Sequence, residues 1–424
     1  MTQSILGVRG MHDVLPEQIP SWRRLESVCR RVLDAYGYRE IRLPVLEHAE
    51  LFERSIGDTS DIVTKEMYTF ADRNDERLTL RPEGTAGCVR AVLEHGLLNE
   101  GAQRLWYLGP MFRYEKPQKG RFRQFHQIGA EAFGFPGPDV DAELILMSAR
   151  LWRELGLGGL SLEINNLGQA EARQRYRAVL LEYFSGHLDQ LDADSRERQQ
   201  KNPLRILDSK NPDLQSLILG APTLDQFLDA DSARDFARLR EILDANSLEY
   251  RVNPRLVRGL DYYNGTVFEW LTDRLGAQSA VCAGGRYDEL IAASGGRPAP
   301  AVGFAMGLER LIELAGQSTP RPEPDSPHAY LIAVAPEAQT RIMQVAEQLR
   351  DRVPGLRLVL NCGGGSFKSQ FKKADRSGAA FALVLGETEL QNGTVGFKPL
   401  RTAGEQQNLP LDQAAAELAR HVEL

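Results

Sequence analysis

Basic residues crowd one short stretch of the chain. Arg113, Lys116, Lys119, Arg121 and Arg123 fall within eleven positions and face a single acid, Glu115. Pro117 and Gly120 bar a helix there, so the stretch reads as a loop between two strands. Arginine forks at strand ends suit phosphate oxygens, and Phe122 and Phe125 add ring surface on which a base can stack. The competing reading is a solvated basic hairpin. On the strand that follows, residues two apart share a face, which aligns Phe125, Gln127, Gly129, Glu131 and Phe133. A glycine inside a strand often marks the close approach of a ligand. The pattern therefore predicts a floor free of side chains at Gly129, flanked by the hydrogen-bonding groups of Gln127 and Glu131. Taken out of water, Glu131 needs a cation or a donor opposite it; on an exposed face it needs neither.

Four further clusters carry polar groups at suggestive spacing. Glu83-Gly84-Thr85 stands where a strand gives way to a helix, and its polar groups either meet a ligand or cap that helix. Arg258 precedes Gly259, with Asp261 as its expected anchor, and Tyr262 and Tyr263 follow with hydroxyls expected on opposite faces. Residues 283–288, Ala-Gly-Gly-Arg-Tyr-Asp, read as a glycine-rich turn; residues 301–311 read as a glycine-spaced strand entering a helix that carries Arg310. None of these glycine sets has the spacing of a P-loop or a dinucleotide fingerprint, and neither has the Gly-rich run at 362–368. The four cysteines and seven histidines are scattered. Neither a zinc site nor a disulfide framework is expected, and each cysteine reads as a small core residue.

These groups need a scaffold, and its outline is legible. Apolar residues from Trp22 to Tyr36 recur at helical spacing, with Gly37 as C-cap. A half-buried strand is expected over 38–47, with Pro44 suiting an edge or a bend. Strands over 77–81, 104–113, 123–133, 266–271 and 279–284 alternate apolar and polar residues, which points to an antiparallel sheet. Helices are expected over 83–95 and 141–155. The charged, helical stretch 168–250 interrupts the strands and reads as an insertion. A proline-rich linker over 319–327 then leads to a strand–helix alternation, a small α/β unit with a mostly parallel sheet. At 424 residues the chain is long enough for two or three domains, and 42% hydrophobic content supports packed cores. A net charge of −7 argues against a protein that coats nucleic acid non-specifically but leaves room for a local basic patch. No run is apolar enough to span a membrane and no signal peptide is visible, so a cytoplasmic location is expected.

Together these segments resemble the three signature motifs of class II aminoacyl-tRNA synthetases: motif one over 37–47 around Pro44, motif two over 113–131, motif three over 303–311 with Arg310. The clusters at 256–263 and 283–288, with the stretches 8–13 and 81–86, resemble signatures of histidyl-tRNA synthetases, and the similarity covers the whole chain. The resemblance implies an α+β catalytic domain over 1–325, an antiparallel sheet flanked by helices of the class II type. It further implies a helical insertion over about 168–250 and a C-terminal α/β anticodon-binding domain over 328–424. It implies activation of histidine with ATP, giving histidyl-adenylate and pyrophosphate, then transfer to the 3′ end of tRNA(His).

By the same resemblance, Arg113 and Arg258 are catalytic, flanking the α-phosphate and the attacking carboxylate. Histidine would meet Glu83, Gly84, Thr85, Gln127, Glu131, Arg258, Tyr262, Tyr263 and Tyr287, with Glu131 and Tyr263 on the imidazole nitrogens. ATP would meet Arg113, Glu115, Arg121, Phe125 and Arg310; tRNA would meet Lys116, Gln118 and Arg123, with Lys119, Lys368, Lys372 and Lys373 as further positive surface. Mg²⁺ is expected on the nucleotide phosphates, with no zinc and no metal site built by the protein. The expected partners are histidine, ATP, tRNA(His) and a second copy of the chain, docked through motif one, with no membrane. The alternative is a non-catalytic, synthetase-like regulator of histidine biosynthesis. Such a chain should lack Arg258, the basic loop or the C-terminal domain, and all three are present. A class II synthetase for another amino acid fits less well, because an uncharged side chain has no use for Glu131.

Overall fold

The computed structural model describes residues 4–57, 60–116, 120–209, 211–276, 280–318, 326–334 and 336–422. It divides into two compact units, Met1–Arg321 and Pro322–Leu424. Most of the expected proline-rich linker, residues 319–325, lies outside the described residues, as do Gln118 and Lys119.

The first unit is built on an eight-stranded sheet. From edge to edge its strands are Arg39–Glu40, Gln103–Phe112, Gln124–Phe133, Ala301–Gly307, Ala280–Arg286, Asn264–Leu271, Ser161–Asn166 and Arg251–Val252. The six inner strands pair antiparallel, as their alternation predicts; the two-residue edge strands pair parallel, so the sheet is mixed. Even-numbered residues of the inner strands point to the back. There Ile128, Ala130, Phe304, Phe268 and Ile164 pack against the helices Ile19–Ala35, Pro138–Leu155, Ala230–Ala245 and Leu308–Ser318. The odd-numbered face is left for chemistry.

Residues 168–250 are not of one kind. Helix Ala170–Ser185 and the short turns through Phe227 share an apolar cluster with the front of the sheet, through Tyr176, Leu180, Phe184 and Leu207. Helix Ala230–Ala245 belongs to the back layer, through Leu239 and Leu243. The strand Ser161–Asn166 was not expected from the sequence.

The strand expected over 38–47 is broken in two. Arg39–Glu40 joins the large sheet beside Leu105 and Trp106, whereas Leu46–His48 joins a three-stranded sheet with Arg77–Leu80 and Tyr68–Ala71. The cause is a buried arginine. Arg81 Nη1 donates to the carbonyls of Leu43 (2.8 Å) and Pro44 (3.1 Å), and its Nε donates to the carbonyl of Pro110 (2.9 Å). Those two carbonyls are taken by a side chain rather than a ladder, and Pro44 has no N–H to offer. Arg81 needs room, and Gly109 gives it: a Cβ there would overlap the guanidinium. The segment 283–288 also differs from expectation. Gly285 and Arg286 continue the strand instead of turning, and a Cβ on Gly285 would stand 2.6 Å from the Thr266 carbonyl oxygen.

The second unit holds a five-stranded sheet in the order Leu358–Leu360, Ala329–Ala333, Phe381–Leu385, Thr394–Pro399, Gln407–Pro410. The first three strands are parallel and the last two antiparallel. Helices Pro336–Arg352 and Leu411–Val422 pack on one face, through Ile342, Leu349 and Leu418. Among the described residues no helix is long and apolar enough to cross a membrane.

Removing the buried Arg81 takes the donor from three half-buried carbonyls and leaves a void where its side chain was. Arg81→Ala is expected to destabilise the N-terminal unit by about 3 kcal/mol or more. Arg77→Ala breaks an exposed pair with Glu53 at 2.8 Å and is expected to cost under about 1 kcal/mol. Urea midpoints of the two variants check the contrast; equal shifts would show that Arg81 is not the clamp described.

Candidate active site

Register across the sheet sets the floor. Gln127 lies between Gly109 and Gly307; Gly129 between Tyr107 and Ala305; Glu131 between Leu105 and Gly303. The middle row runs on through Ala283 to Glu269 and then Glu163. Small residues at 305 and 283 keep this part of the floor low, between the Gln127 side and Glu269. Gly129 serves a different purpose from the one expected. A Cβ at Gly129 or at Gly84 would overlap the Tyr107 ring, so both glycines make room for a buried tyrosine rather than for a ligand.

Tyr107 leads to the most deeply buried carboxylate. Glu131 has no exposed surface. Its Oε1 accepts from Thr85 Oγ1 at 2.8 Å and from the Tyr107 hydroxyl at 3.2 Å, and its Oε2 accepts from the Tyr287 hydroxyl. Burial pushes its carboxyl up to about 8, although the three hydroxyls work the other way. Glu83 is buried beside it. Its two oxygens accept the N–H groups of Thr85 (2.6 Å) and Ala86 (2.9 Å), which caps helix Thr85–Glu94. Glu83 thus caps the helix, and it also borders a cleft of about 1070 Å³ above the sheet.

Of the expected residues, Glu83, Thr85, Arg113, Glu115, Arg121, Phe125, Gln127, Arg258, Tyr262, Tyr263 and Arg310 border that cleft. Glu131 and Tyr287 do not; they sit behind its wall, with Thr85 as the bordering residue that touches Glu131. Gly84 lies under Tyr107, Lys116 is exposed on the loop, and Arg123 stacks over the Tyr114 ring at 3.8 Å. The rings of Tyr262 and Tyr263 are not splayed to opposite faces. Both are buried, with centroids 4.6 Å apart, and Tyr287 packs edge-on against Tyr262 at 5.5 Å.

The arginines are held from behind. Arg113 Nε donates to the Pro82 carbonyl at 2.8 Å, and its guanidinium lies 5.3 Å from the Phe125 ring centre. Arg121 pairs with Glu115 at 2.6 Å, and Arg310 donates to the carbonyls of Gly120 (3.3 Å) and Ala280. Arg258 is anchored by Glu269, at 3.0 Å, and not by Asp261 as expected. Asp261 instead pairs with Arg205. Burial lowers Arg310's hold on its proton, and the like charges of Arg121 and Arg113 lower it further. That end of the cleft is therefore a pocket of positive potential. Sequence reasoning missed Glu269, Tyr107 and Arg205. The alternation of residues 266–271 put Glu269 on one face, but nothing local pointed to Arg258 as its partner.

The comparisons with known proteins bear on this arrangement. The family model described as histidyl-tRNA synthetase matches residues 10–311, and the one described as an anticodon binding domain matches residues 328–421. The chain belongs to the histidyl-tRNA synthetase family. The apo structure of the S. aureus histidyl-tRNA synthetase is 33% identical, with a TM-score of 0.81 over 98% of this chain and 100% of that one. A histidyl-tRNA synthetase from Nostoc is 21% identical, with a TM-score of 0.68 over 99% of this chain and 100% of the other. A Bacillus halodurans protein described as an ATP phosphoribosyltransferase regulatory subunit/histidyl-tRNA synthetase is 23% identical, with a TM-score of 0.64 over 91% and 99%. The last two share the fold. The segment 113–131 that resembles motif two falls on the loop and second strand of the hairpin Gln103–Phe112/Gln124–Phe133, and the segment 303–311 that resembles motif three on strand Ala301–Gly307 where it enters helix Leu308–Ser318.

The burial of Glu131 has a pH signature. A glutamate in the unfolded chain titrates near 4.3, roughly; in the fold it titrates at about 8. Between these values the folded state keeps a proton that the unfolded chain has released, so stability falls as pH rises from about 5 to 8. Glu131→Gln has no proton to release and should lack this part of the decline. Thermal midpoints at pH 5.5 and 8.5 test it; parallel declines in the two proteins would show that Glu131 is not held protonated by burial.

Proposed function

We propose that the chain is a catalytically active histidine–tRNA ligase, which forms histidyl-adenylate from histidine and ATP and passes histidine to tRNA(His). One observation carries the reading. Arg113, Arg258 and Arg310, from three separate elements, border the same cleft, while Glu83 and Gln127 border it too. Adenylate formation joins two negative groups, a carboxylate and an α-phosphate. It needs no protein nucleophile, only positioning and neutralisation of charge that grows in the transition state.

Arg113 and Arg258 flank the reacting groups in this reading. Glu269 and the Pro82 carbonyl fix their guanidinium groups beforehand, so little reorganisation remains at the moment of reaction. Arg310 and Arg121 take the distal phosphates, and Phe125 with Phe122 offers a surface for the adenine. Glu83 and Gln127 receive the ammonium of histidine; the Gln127 Oε1 is buried and has no donor among the described residues. Thr85 and Tyr263 face the imidazole, with the Glu131 carboxyl behind Thr85. A site that hydrogen-bonds both ring nitrogens rejects analogues lacking either by on the order of 10⁴.

Among the described residues no cluster of three or more His, Cys, Asp or Glu side chains is arranged to hold a metal. Glu115 and Glu269 border the cleft but are each committed to an arginine. This donor set suits a Mg²⁺ that arrives on the nucleotide, carried by phosphate oxygens and water, where it would neutralise phosphate charge. For tRNA, Lys116, Arg121 and Arg123 supply positive surface at the rim, and Lys368, Lys372 and Lys373 line one helix, Phe367–Arg376, of the second unit. A second copy of the chain would cover Val45, Leu46 and Phe70, apolar residues left exposed around motif one.

A regulator that only senses histidine would bind it without making adenylate. Arg258→Ala is expected to slow single-turnover adenylate formation by at least about 10³ while histidine still binds. Arg258→Lys should recover little of that, because an ammonium lacks the planar fork. Near-wild-type rates in Arg258→Ala would remove the catalytic assignment, and a wild-type protein that binds histidine but forms no adenylate would favour the regulator.

A further inference from the structure

The loop that carries Arg258 is gripped from outside the sheet. It runs from Leu256 to Tyr263 and enters strand Asn264–Leu271. Its apolar residues Leu256, Tyr262 and Tyr263 are buried and Leu260 packs half-buried against the same cluster, while Gly259 and Asp261 are held by polar contacts. Arg205 Nη2 carries two hydrogens and uses both: it donates to the Gly259 carbonyl at 3.0 Å and to Asp261 Oδ1 at 3.0 Å. Asn202 Nδ2 donates to the same Asp261 oxygen at 3.2 Å. Arg205 belongs to the short helical turn Pro203–Ile206 in the inserted stretch, and Asn202 immediately precedes it.

The other side of the loop is held by the end of helix Ala49–Ile56. The Asp261 N–H donates to the Ile56 carbonyl at 3.2 Å. The Asp261 carboxylate lies over Gly57, where a Cβ would stand 2.6 Å from Oδ2 and where φ is +94°. A side chain at 57 would be strained there and would push Asp261 away. Asp261 is thus clamped between two segments, two residues beyond Gly259 and three beyond Arg258.

We propose that Arg205, aided by Asn202, is a positioning residue for Arg258: the inserted helical stretch holds the catalytic loop through Gly259 and Asp261. Arg258 then has two anchors. Glu269 fixes the guanidinium tip, and Arg205 fixes the main chain next to its Cα. Neither anchor replaces the other, because a long side chain tethered only at its tip can still swing its backbone. Adenylate formation therefore depends on the inserted stretch being docked against the loop; Arg205 borders the cleft, but both hydrogens of its Nη2 are committed to the loop. The inference rests on the reading of Arg258 as the arginine of the reacting phosphate.

A double-mutant cycle on the full-length protein tests it. The measurements are single-turnover adenylate formation, histidine affinity and melting temperature for wild type, Arg205→Ala, Arg258→Ala and the double variant. Displacing a catalytic group by about 1 Å costs up to roughly 10²-fold. Arg205→Ala should therefore slow adenylate formation by about 10- to 100-fold, with histidine affinity changed less than about threefold. Arg205→Lys should recover part of the rate, since an ammonium reaches one of the two oxygens. In the Arg258→Ala background, Arg205→Ala should add less than about threefold, because its effect passes through the missing side chain. A loss that multiplies in that background, or a rate that holds while histidine affinity falls, would overturn the proposal. If Arg205→Ala fails to fold, Asn202→Ala carries the same cycle with a smaller loss. Absence of adenylate formation in wild type would sink the parent reading, whereas a multiplicative loss sinks only the coupling.

Discussion

A carboxyl with no exposed surface must find hydrogen-bond partners inside the protein, and Glu131 finds three hydroxyls. Much of the local sequence follows from that need. Tyr107 must reach Glu131 across the neighbouring strand, so Gly84 and Gly129 carry no side chain where its ring passes. Glu131 itself lies over Gly303, where a Cβ would overlap its Oε2. Tyr287 must be aimed from the end of its strand, and its neighbour Arg286 secures that end. Arg286 makes a two-pronged pair with Asp141, at 2.7 and 3.1 Å, and a further hydrogen bond to the Gly137 carbonyl at 2.7 Å. Asp141 opens the helix that covers the back of the sheet, so the carboxyl on the front is tied to the packing behind it.

The opposite end of the cleft has the opposite problem. Burial disfavours the charge of Arg310, the nearby Arg121 and Arg113 add to this, and Glu115 offsets them only in part. The chain as a whole is acidic, at −7, so this positive pocket is a local construction of the motif-two hairpin and the motif-three helix. A polyanion entering it releases that tension, whereas a neutral molecule does not. The cleft thus brings Glu83 and Gln127 together with guanidinium groups that a phosphate would neutralise, and the hydroxyl-satisfied Glu131 lies behind its wall.

Period-two alternation was enough to align Phe125, Gln127, Gly129 and Glu131 on one face and to place the hairpin, because a half-buried strand writes its faces into the sequence. The role of Gly129 was not legible, since a missing side chain does not say what fills its place; here that is Tyr107, from the neighbouring strand. Strand Ser161–Asn166 was hidden because Glu163, Asn165 and Asn166 look like loop residues. Their polarity is met by distant partners: Asn165 donates to the Leu256 carbonyl at 3.0 Å, and Asn166 to the Ser232 carbonyl at 3.2 Å. Asp261 seemed the natural anchor for Arg258 at three residues' distance. The fold gave that place to Glu269 on the next strand and bound Asp261 to the insertion, a choice made by tertiary packing alone.

The proposed activity, adenylate chemistry on histidine and not merely histidine binding, has a direct readout. The most direct measurement is exchange of labelled pyrophosphate into ATP by the full-length protein, without tRNA, run with each of the twenty amino acids in turn. Exchange is expected with histidine alone, at least about 10³-fold above any other amino acid. No exchange with histidine in a folded protein that binds it, or comparable exchange with a second amino acid, would contradict the account.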